Sequence, residues 1–168
     1  MRTLYLLRHA KSSWEESGLP DHDRPLASRG RRATKLLAAY LRREGISPQL
    51  VLCSSARRAR ETLDGIAPAL GGEVEVQVEA DLYSATAGDL IERLHAIPDE
   101  VESAMLIGHN PAMQSLALSL AARGEQLETV ARKYPTGALG TLTFESSWQG
   151  LGTGDGELVA FVRPKDLG

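Results

Sequence analysis

Thr3-Leu4-Tyr5-Leu6-Leu7-Arg8-His9-Ala10 decides how the rest of the chain is read. A run of bulky apolar residues that stops at an Arg-His pair reads as a buried strand delivering two ionisable side chains to one edge of a sheet. In open α/β sheets that edge is where ligands bind. Histidine, with an ordinary pKa of about 6.5, is largely neutral and nucleophilic near neutral pH. Arginine stays charged and offers planar paired donors to phosphate or carboxylate oxygens. Taken alone, the pair is better explained as the solvated cap of a strand, and the rest of the chain has to overturn that reading.

The chain has 168 residues, 42% of them hydrophobic, enough for one sizeable core, so residues 1–168 are read as a single domain. Net charge is −3, which gives no general case for nucleic acid, yet charge is unevenly placed. Residues 24–60 hold ten of the nineteen Lys and Arg and one acid, Glu44. Such a run is either the wet face of a helix or a funnel for phosphate. No charged leader with an apolar stretch precedes the first strand, and no apolar run is long enough to span a bilayer. The expectation is a soluble, cytoplasmic protein. The single cysteine, Cys53, excludes an intrachain disulfide.

Downstream, Lys11 to Pro20 is a loop rich in turn formers. Ser28 is a fitting N-cap for a helix with Ala33, Leu36, Leu37, Tyr40 and Leu41 on one face, closed near Gly45. Pro48 to Cys53 reads as a second buried strand, and Ser54-Ser55 caps a helix built on Ala59, Leu63, Ile66 and Leu70. Residues 74–79 alternate as an exposed edge strand, and Thr86-Ala87-Gly88-Asp89 is a capping box. Ala104 to Ile107 is a third buried strand, ending in Gly108-His109-Asn110-Pro111, with Pro111 suited to open a helix. Two β-rich runs, Leu139 to Phe144 and Leu158 to Val162, read as antiparallel strands joined by a flexible glycine-rich loop. Those glycines miss the G-x-G-x-x-G spacing, and no helix follows them.

Three strand ends therefore deliver Arg8-His9, the arginines Arg57, Arg58 and Arg60, and Gly108-His109. In a parallel sheet these ends share one edge, where two histidines and several arginines are hard to explain as packing.

Leu7-Arg8-His9-Ala10-Lys11-Ser12, Pro25-Leu26 with Gly30, Ser54-Ser55 with Arg58-Ala59-Arg60-Glu61-Thr62, and Gly108-His109 together resemble the histidine phosphatase superfamily. The Arg-His-Ala-Lys-Ser-Ser-Trp opening and Gly-His-Asn-Pro look most like its SixA-type phosphohistidine phosphatases. The resemblance covers nearly the whole chain. It implies a three-layer αβα sandwich of the phosphoglycerate mutase-like kind, with a mostly parallel central sheet and antiparallel strands near the C-terminus. It implies that His9 takes up the phosphoryl group before water does, that Arg8 and Arg58 clamp its oxygens, and that His109 donates to them. Arg58 rather than Arg57 fits the family's Arg-Ala-x-x-Thr spacing. Lys11, Ser12 and Asn110 are the candidate substrate contacts beside them. The family's glycine after the histidine is Ala10 here, and an asparagine often found further along the first loop is Glu15. No residue matches the glutamate that many members use as general acid. Asp81 and Asp89 lie in the right stretch, but a turn and the capping box account for them.

The reading is a metal-independent phosphatase with no cofactor, most like a protein phosphohistidine phosphatase. The alternatives are a small-molecule phosphomonoesterase of the same superfamily and a non-catalytic phosphate-binding interaction module. The partner expected is a phosphorylated substrate, with no nucleic acid and no membrane. A cysteine phosphatase would need C-x5-R, but the sixth residue after Cys53 is Ala59. The only metal-like cluster, His22 between Asp21 and Asp23, reads as a solvated loop. His95 reads as a favourable charge at a helix C-terminus.

Overall fold

The computed structural model describes residues 1–168. Seven strands form one mixed sheet: β1 (Arg2–Arg8), β2 (Leu50–Ser54), β3 (Glu75–Glu79), β4 (Ser103–Gly108), β5 (Ala121–Arg123), β6 (Leu139–Phe144) and β7 (Gly156–Val162). Their order across the sheet is β3-β2-β4-β1-β6-β7-β5. The first four run parallel, β6 continues the sheet antiparallel to β1, and β7 pairs antiparallel with β6. Helices α1 (Ser28–Glu44), α2 (Arg57–Ile66), α3 (Ala87–His95), α4 (Ala112–Leu120), α5 (Leu127–Arg132) and α6 (Pro164–Leu167) cover it. This is the expected three-layer α/β architecture.

The strands alternate between two cores. Leu4 and Leu6, Leu50 and Leu52, and Ala104 and Leu106 point into the larger core, shared with α3 and α4. Leu7, Val51, Cys53, Met105 and Ile107 point into the other, against Leu37 and Leu41 of α1 and Ala59 and Ile66 of α2. Both faces are apolar because both are covered, which is why these strands read as continuous apolar runs. Strand β3 lies at the sheet edge, and its outward Val76 and Val78 are about half exposed, as its alternation suggested.

Local details differ from the sequence reading. Helix α1 is entered through Ala27, not capped by Ser28, and no side chain caps it. Its start is fixed by backbone pairing instead: Ser12 bridges Leu26, and the Ala27 N–H donates to the Lys11 carbonyl at 2.9 Å. Likewise Ala56, not a serine, is the N-cap of α2, and Pro111 caps α4 rather than opening it. The short β5, α5 and α6 were not foreseen, since three to six residues carry too little periodicity. The loop between β6 and β7 is not a slack connector. Trp148 within it is fully buried, with its indole N–H donating to the Val101 carbonyl at 2.6 Å.

Gly30 shows what holds the first loop against α1. A Cβ at this position would collide with the Lys11 carbonyl oxygen, which is backbone and cannot swing away. Gly30→Ala should therefore lose about 1–3 kcal/mol of stability in urea denaturation. An ordinary exposed helical glycine would gain about 1 kcal/mol from the same change.

Candidate functional site

Strands β1, β4 and β2 are neighbours, and Arg8 pairs with Gly108 in the β1–β4 register. The residues leaving those two strands, His9 and His109, therefore stand side by side, with ring centroids 5.2 Å apart. Arg58, the second residue of α2 after β2, closes the third side. The structure thus brings together His9, Arg8, Arg58 and His109, four residues spread over a hundred positions of sequence.

His9 is only 6% exposed. Its Nδ1 lies 2.7 Å from the Ala10 carbonyl oxygen, an obligate acceptor, so Nδ1 carries the proton and Nε2 keeps a free lone pair. The peptide providing that carbonyl is itself held. The Ala10 N–H donates to Thr62 Oγ1 at 2.9 Å, and the Thr62 hydroxyl donates to the Arg58 carbonyl at 2.7 Å. The Arg-Ala-x-x-Thr spacing thus has a mechanical reason: one helical turn lets the threonine tie the His9 loop to the helix that carries Arg58.

His109 Nε2 lies 2.7 Å from Ser54 Oγ, which also accepts the Ala56 N–H at 3.2 Å. Where the Ser54 hydroxyl donates to Nε2, the N–H of His109 lies on Nδ1. Arg8 donates through one terminal nitrogen to the Tyr134 carbonyl at 2.9 Å. Arg8 Nε and His109 Nδ1 are both buried and have no partner in the protein. An unpaired guanidinium N–H and an unpaired imidazole nitrogen at one sheet edge, beside Arg58, suit an anion site.

Burial pushes the pKa of His9 down to about 3 and that of His109 to about 4, and the neighbouring arginines add to both effects. Both histidines are therefore neutral at ordinary pH. Burial also lowers the pKa of Arg8, with repulsion from Arg58 contributing.

Several residues here had no signal in the sequence. Asp21 sits on a 3-10 turn, Asp21–Asp23, and is the hub of the first loop. Arg58 donates to its backbone oxygen at 2.8 Å and to Oδ2 at 3.0 Å, Arg24 donates to Oδ1 at 2.9 Å, and the Tyr83 hydroxyl donates to Oδ2 at 2.5 Å. These partners, Tyr83 foremost, hold the carboxylate well below its usual range. Neither is His22 in a merely solvated loop, since its Nε2 is 2.8 Å from Ser55 Oγ and its ring meets Tyr83 edge-on.

The other candidates are placed as follows. Lys11 is exposed beside the site, Ser12 Oγ accepts from Arg24 at 2.5 Å, and Asn110 donates to the Tyr134 carbonyl at 3.1 Å. Next to His109 opens a cavity of about 440 Å³ lined by Tyr83, Thr86, Asn110 and Ser115 among others, with no carboxylate in its wall. Asp89 is exposed and completes the capping box with Thr86, and Asp81 is exposed on the turn Ala80–Leu82. Arg57 is exposed and paired with Glu61 at 3.0 Å. Cys53 is buried, and burial raises its thiol pKa to about 12. His95 Nε2 is 2.7 Å from the Leu151 carbonyl, so it anchors the β6–β7 loop. No group of three or more His, Cys, Asp or Glu is placed to hold a metal ion, and no helix is long and apolar enough to cross a membrane.

The depressed pKa values have a consequence for stability. In the unfolded chain each histidine takes a proton as pH falls through about 6.5, whereas in the fold His9 does so only near 3 and His109 near 4. Their contribution is complete above about pH 6.5 and is lost as pH drops toward 4, at about 1.4 kcal/mol per pH unit for each. Unfolding free energies measured between pH 7 and 4.5 should fall less steeply in His9→Gln than in the wild type. Parallel pH profiles would contradict the burial of a neutral imidazole.

The model of the histidine phosphatase superfamily (branch 1) matches residues 4–136. An uncharacterised protein of Mycobacterium leprae is 37% identical over 166 residues, which cover 95% of this chain and all of that protein. Among solved structures, a protein of Agrobacterium tumefaciens assigned by name as the phosphohistidine phosphatase SixA superposes with a TM-score of 0.84 at 28% identity, covering 97% of this chain and 98% of that one. The corresponding SixA protein from Nakamurella multipartitia gives 0.83 at 26% identity, covering 97% and 96%. The chain belongs to the histidine phosphatase superfamily, and with it to the phosphatases.

Proposed function

We propose that the protein is a metal-independent phosphohistidine phosphatase in which His9 is the nucleophile. The observation that carries this reading is the free Nε2 of His9 beside the unpaired Nε of Arg8 and Nδ1 of His109, next to a cavity without a carboxylate. Its SixA neighbours are named as phosphohistidine phosphatases, which supports the same substrate.

In the first step Nε2 of His9 attacks phosphorus, the bond from phosphorus to the leaving group breaks, and the three equatorial oxygens are met by Arg8, Arg58 and His109. Such transfers depend on positioning and positive charge more than on covalent help. The arginines supply charge of the kind a divalent ion supplies elsewhere. Because Nδ1–H stays on the Ala10 carbonyl, the phosphorylated ring is an imidazolium. In the second step water attacks phosphorus, the P–N bond breaks, and His9 returns as a neutral imidazole while the proton from water leaves with phosphate.

The substrate preference follows from the same chemistry. An alcohol departing from phosphorus becomes a strongly basic alkoxide unless an acid protonates it. A protonated phosphoimidazole expels a neutral ring with no such aid. A pocket lined by Tyr83, Thr86 and Ser115, with Asp81 and Asp89 outside it, suits the second leaving group and not the first.

Incubated with a phosphohistidine protein in EDTA, the enzyme should acquire an acid-labile, base-stable phosphoryl label that is absent from His9→Ala. Its kcat/KM should be higher for phosphohistidine than for alkyl phosphates, and Asp81→Asn and Asp89→Asn should leave it unchanged. A preference for an alkyl phosphate lost with either aspartate would make the protein a small-molecule phosphomonoesterase. Arg58→Ala should lower kcat by about a hundredfold or more, the scale of one lost transition-state donor, while Arg57→Ala changes it little. Equal losses would assign the clamp to the wrong arginine.

A further inference from the structure

Helix α1 carries six cations, Arg29, Arg31, Arg32, Lys35, Arg42 and Arg43, and none is paired with a carboxylate. Arg29 with Arg32, Arg31 with Lys35 and Arg32 with Lys35 are like charges three or four residues apart, a spacing that destabilises a helix. The first turn has no acid, so its arginines also oppose the positive end of the helix dipole. This arrangement works against the helix itself, inside a chain that is acidic overall.

The cations border a groove. A cavity of about 620 Å³ lies between α1 and α2, with Arg31, Lys35, Arg42 and Arg57 along it and Leu26, Ala38 and Pro68 in its floor and walls. Glu61 and Asp64 also line it, but Glu61 is already engaged, accepting from the Leu26 N–H at 2.8 Å and from Arg57 at 3.0 Å. The side chains of Lys35 and Arg42 are exposed and make no hydrogen bond or ion pair within the protein. One end of the groove is tied to the loop that leaves the anion site. Its Pro25-Leu26 end is bonded to Ser12 and Ser13, three and four residues beyond His9, and Arg57 directly precedes Arg58.

We infer that this groove docks the acidic surface of the protein that carries the phosphohistidine, so that α1 and α2 select the macromolecule while the His9 pocket selects the phosphoryl group. The inference rests on the phosphohistidine reading above and assigns it a protein, not a metabolite. An acidic partner relieves the repulsion along α1, and its field also speeds encounter at low salt.

The test uses two synthetic phosphohistidine peptides of equal length that reach from the His9 pocket along the groove, one flanked by glutamates and one by lysines, with free phosphohistidine as the reference. The wild type should favour the glutamate peptide by about tenfold or more in kcat/KM, and the preference should shrink as ionic strength rises. Lys35→Glu with Arg42→Glu should abolish it through KM, and Lys35→Ala with Arg42→Ala should weaken it. Hydrolysis of free phosphohistidine should be unchanged in both. No preference in the wild type, a preference that survives the double charge reversal, or tighter binding of an RNA homopolymer than of the glutamate peptide would overturn the proposal. If neither free phosphohistidine nor either peptide is cleaved, the phosphohistidine reading fails by itself. Fluorescence anisotropy of the unphosphorylated glutamate peptide, bound by the wild type and not by the charge-reversed variant, then still decides the docking surface.

Discussion

The parallel pairing of β1 with β4, Arg8 opposite Gly108, is the constraint on which the site depends. A slip of one residue would exchange the two faces of β1, turning Leu4 and Leu6 away from their core, so the packing of both layers fixes the register. Once it is fixed, the next residue on each strand is a histidine, and the His9 N–H donates to the Gly108 carbonyl at 3.1 Å to prolong the pairing by one step. Nothing catalytic has to be added to bring the two rings together.

The same burial that orders the rings keeps them neutral. A charged imidazole would face Arg8 and Arg58 in a desolvated space, and both terms favour the free base. Positive charge is thus left to the arginines, which cannot give it up, and the lone pair to His9, which can use it. Asp21 offsets part of the local positive potential from the outer side of Arg58 and steadies that guanidinium through two bonds.

The apolar strands, the helix faces and the motif at each strand end were legible because each obeys a period or a spacing. Asp21 was not. A short acid among turn formers has no period, and only the fold shows that Arg58, Arg24 and Tyr83 converge on it. Ser54 read as a helix cap, a place Ala56 takes, and its contact with His109 needed the β2–β4 pairing, which sequence order does not reveal. Trp148 was hidden for the opposite reason: glycines on either side advertised slack, whereas the buried indole sets the path of the loop.

Tyr134 joins the two halves of the sheet. Its hydroxyl donates to the Leu6 carbonyl of β1 at 2.5 Å and accepts the Gly140 N–H of β6 at 3.0 Å, its ring packs edge-on against Phe161 of β7, and its carbonyl receives Arg8 and Asn110. All the motif residues lie before position 136, yet the wall that seats this tyrosine comes after it. The recognisable signature and the cooperative unit therefore have different boundaries. A chain cut where the signature stops would keep every chemical group of the site and forfeit the scaffold that aims one of them, so the antiparallel C-terminal strands are as much a part of the anion site as the loop that carries His9.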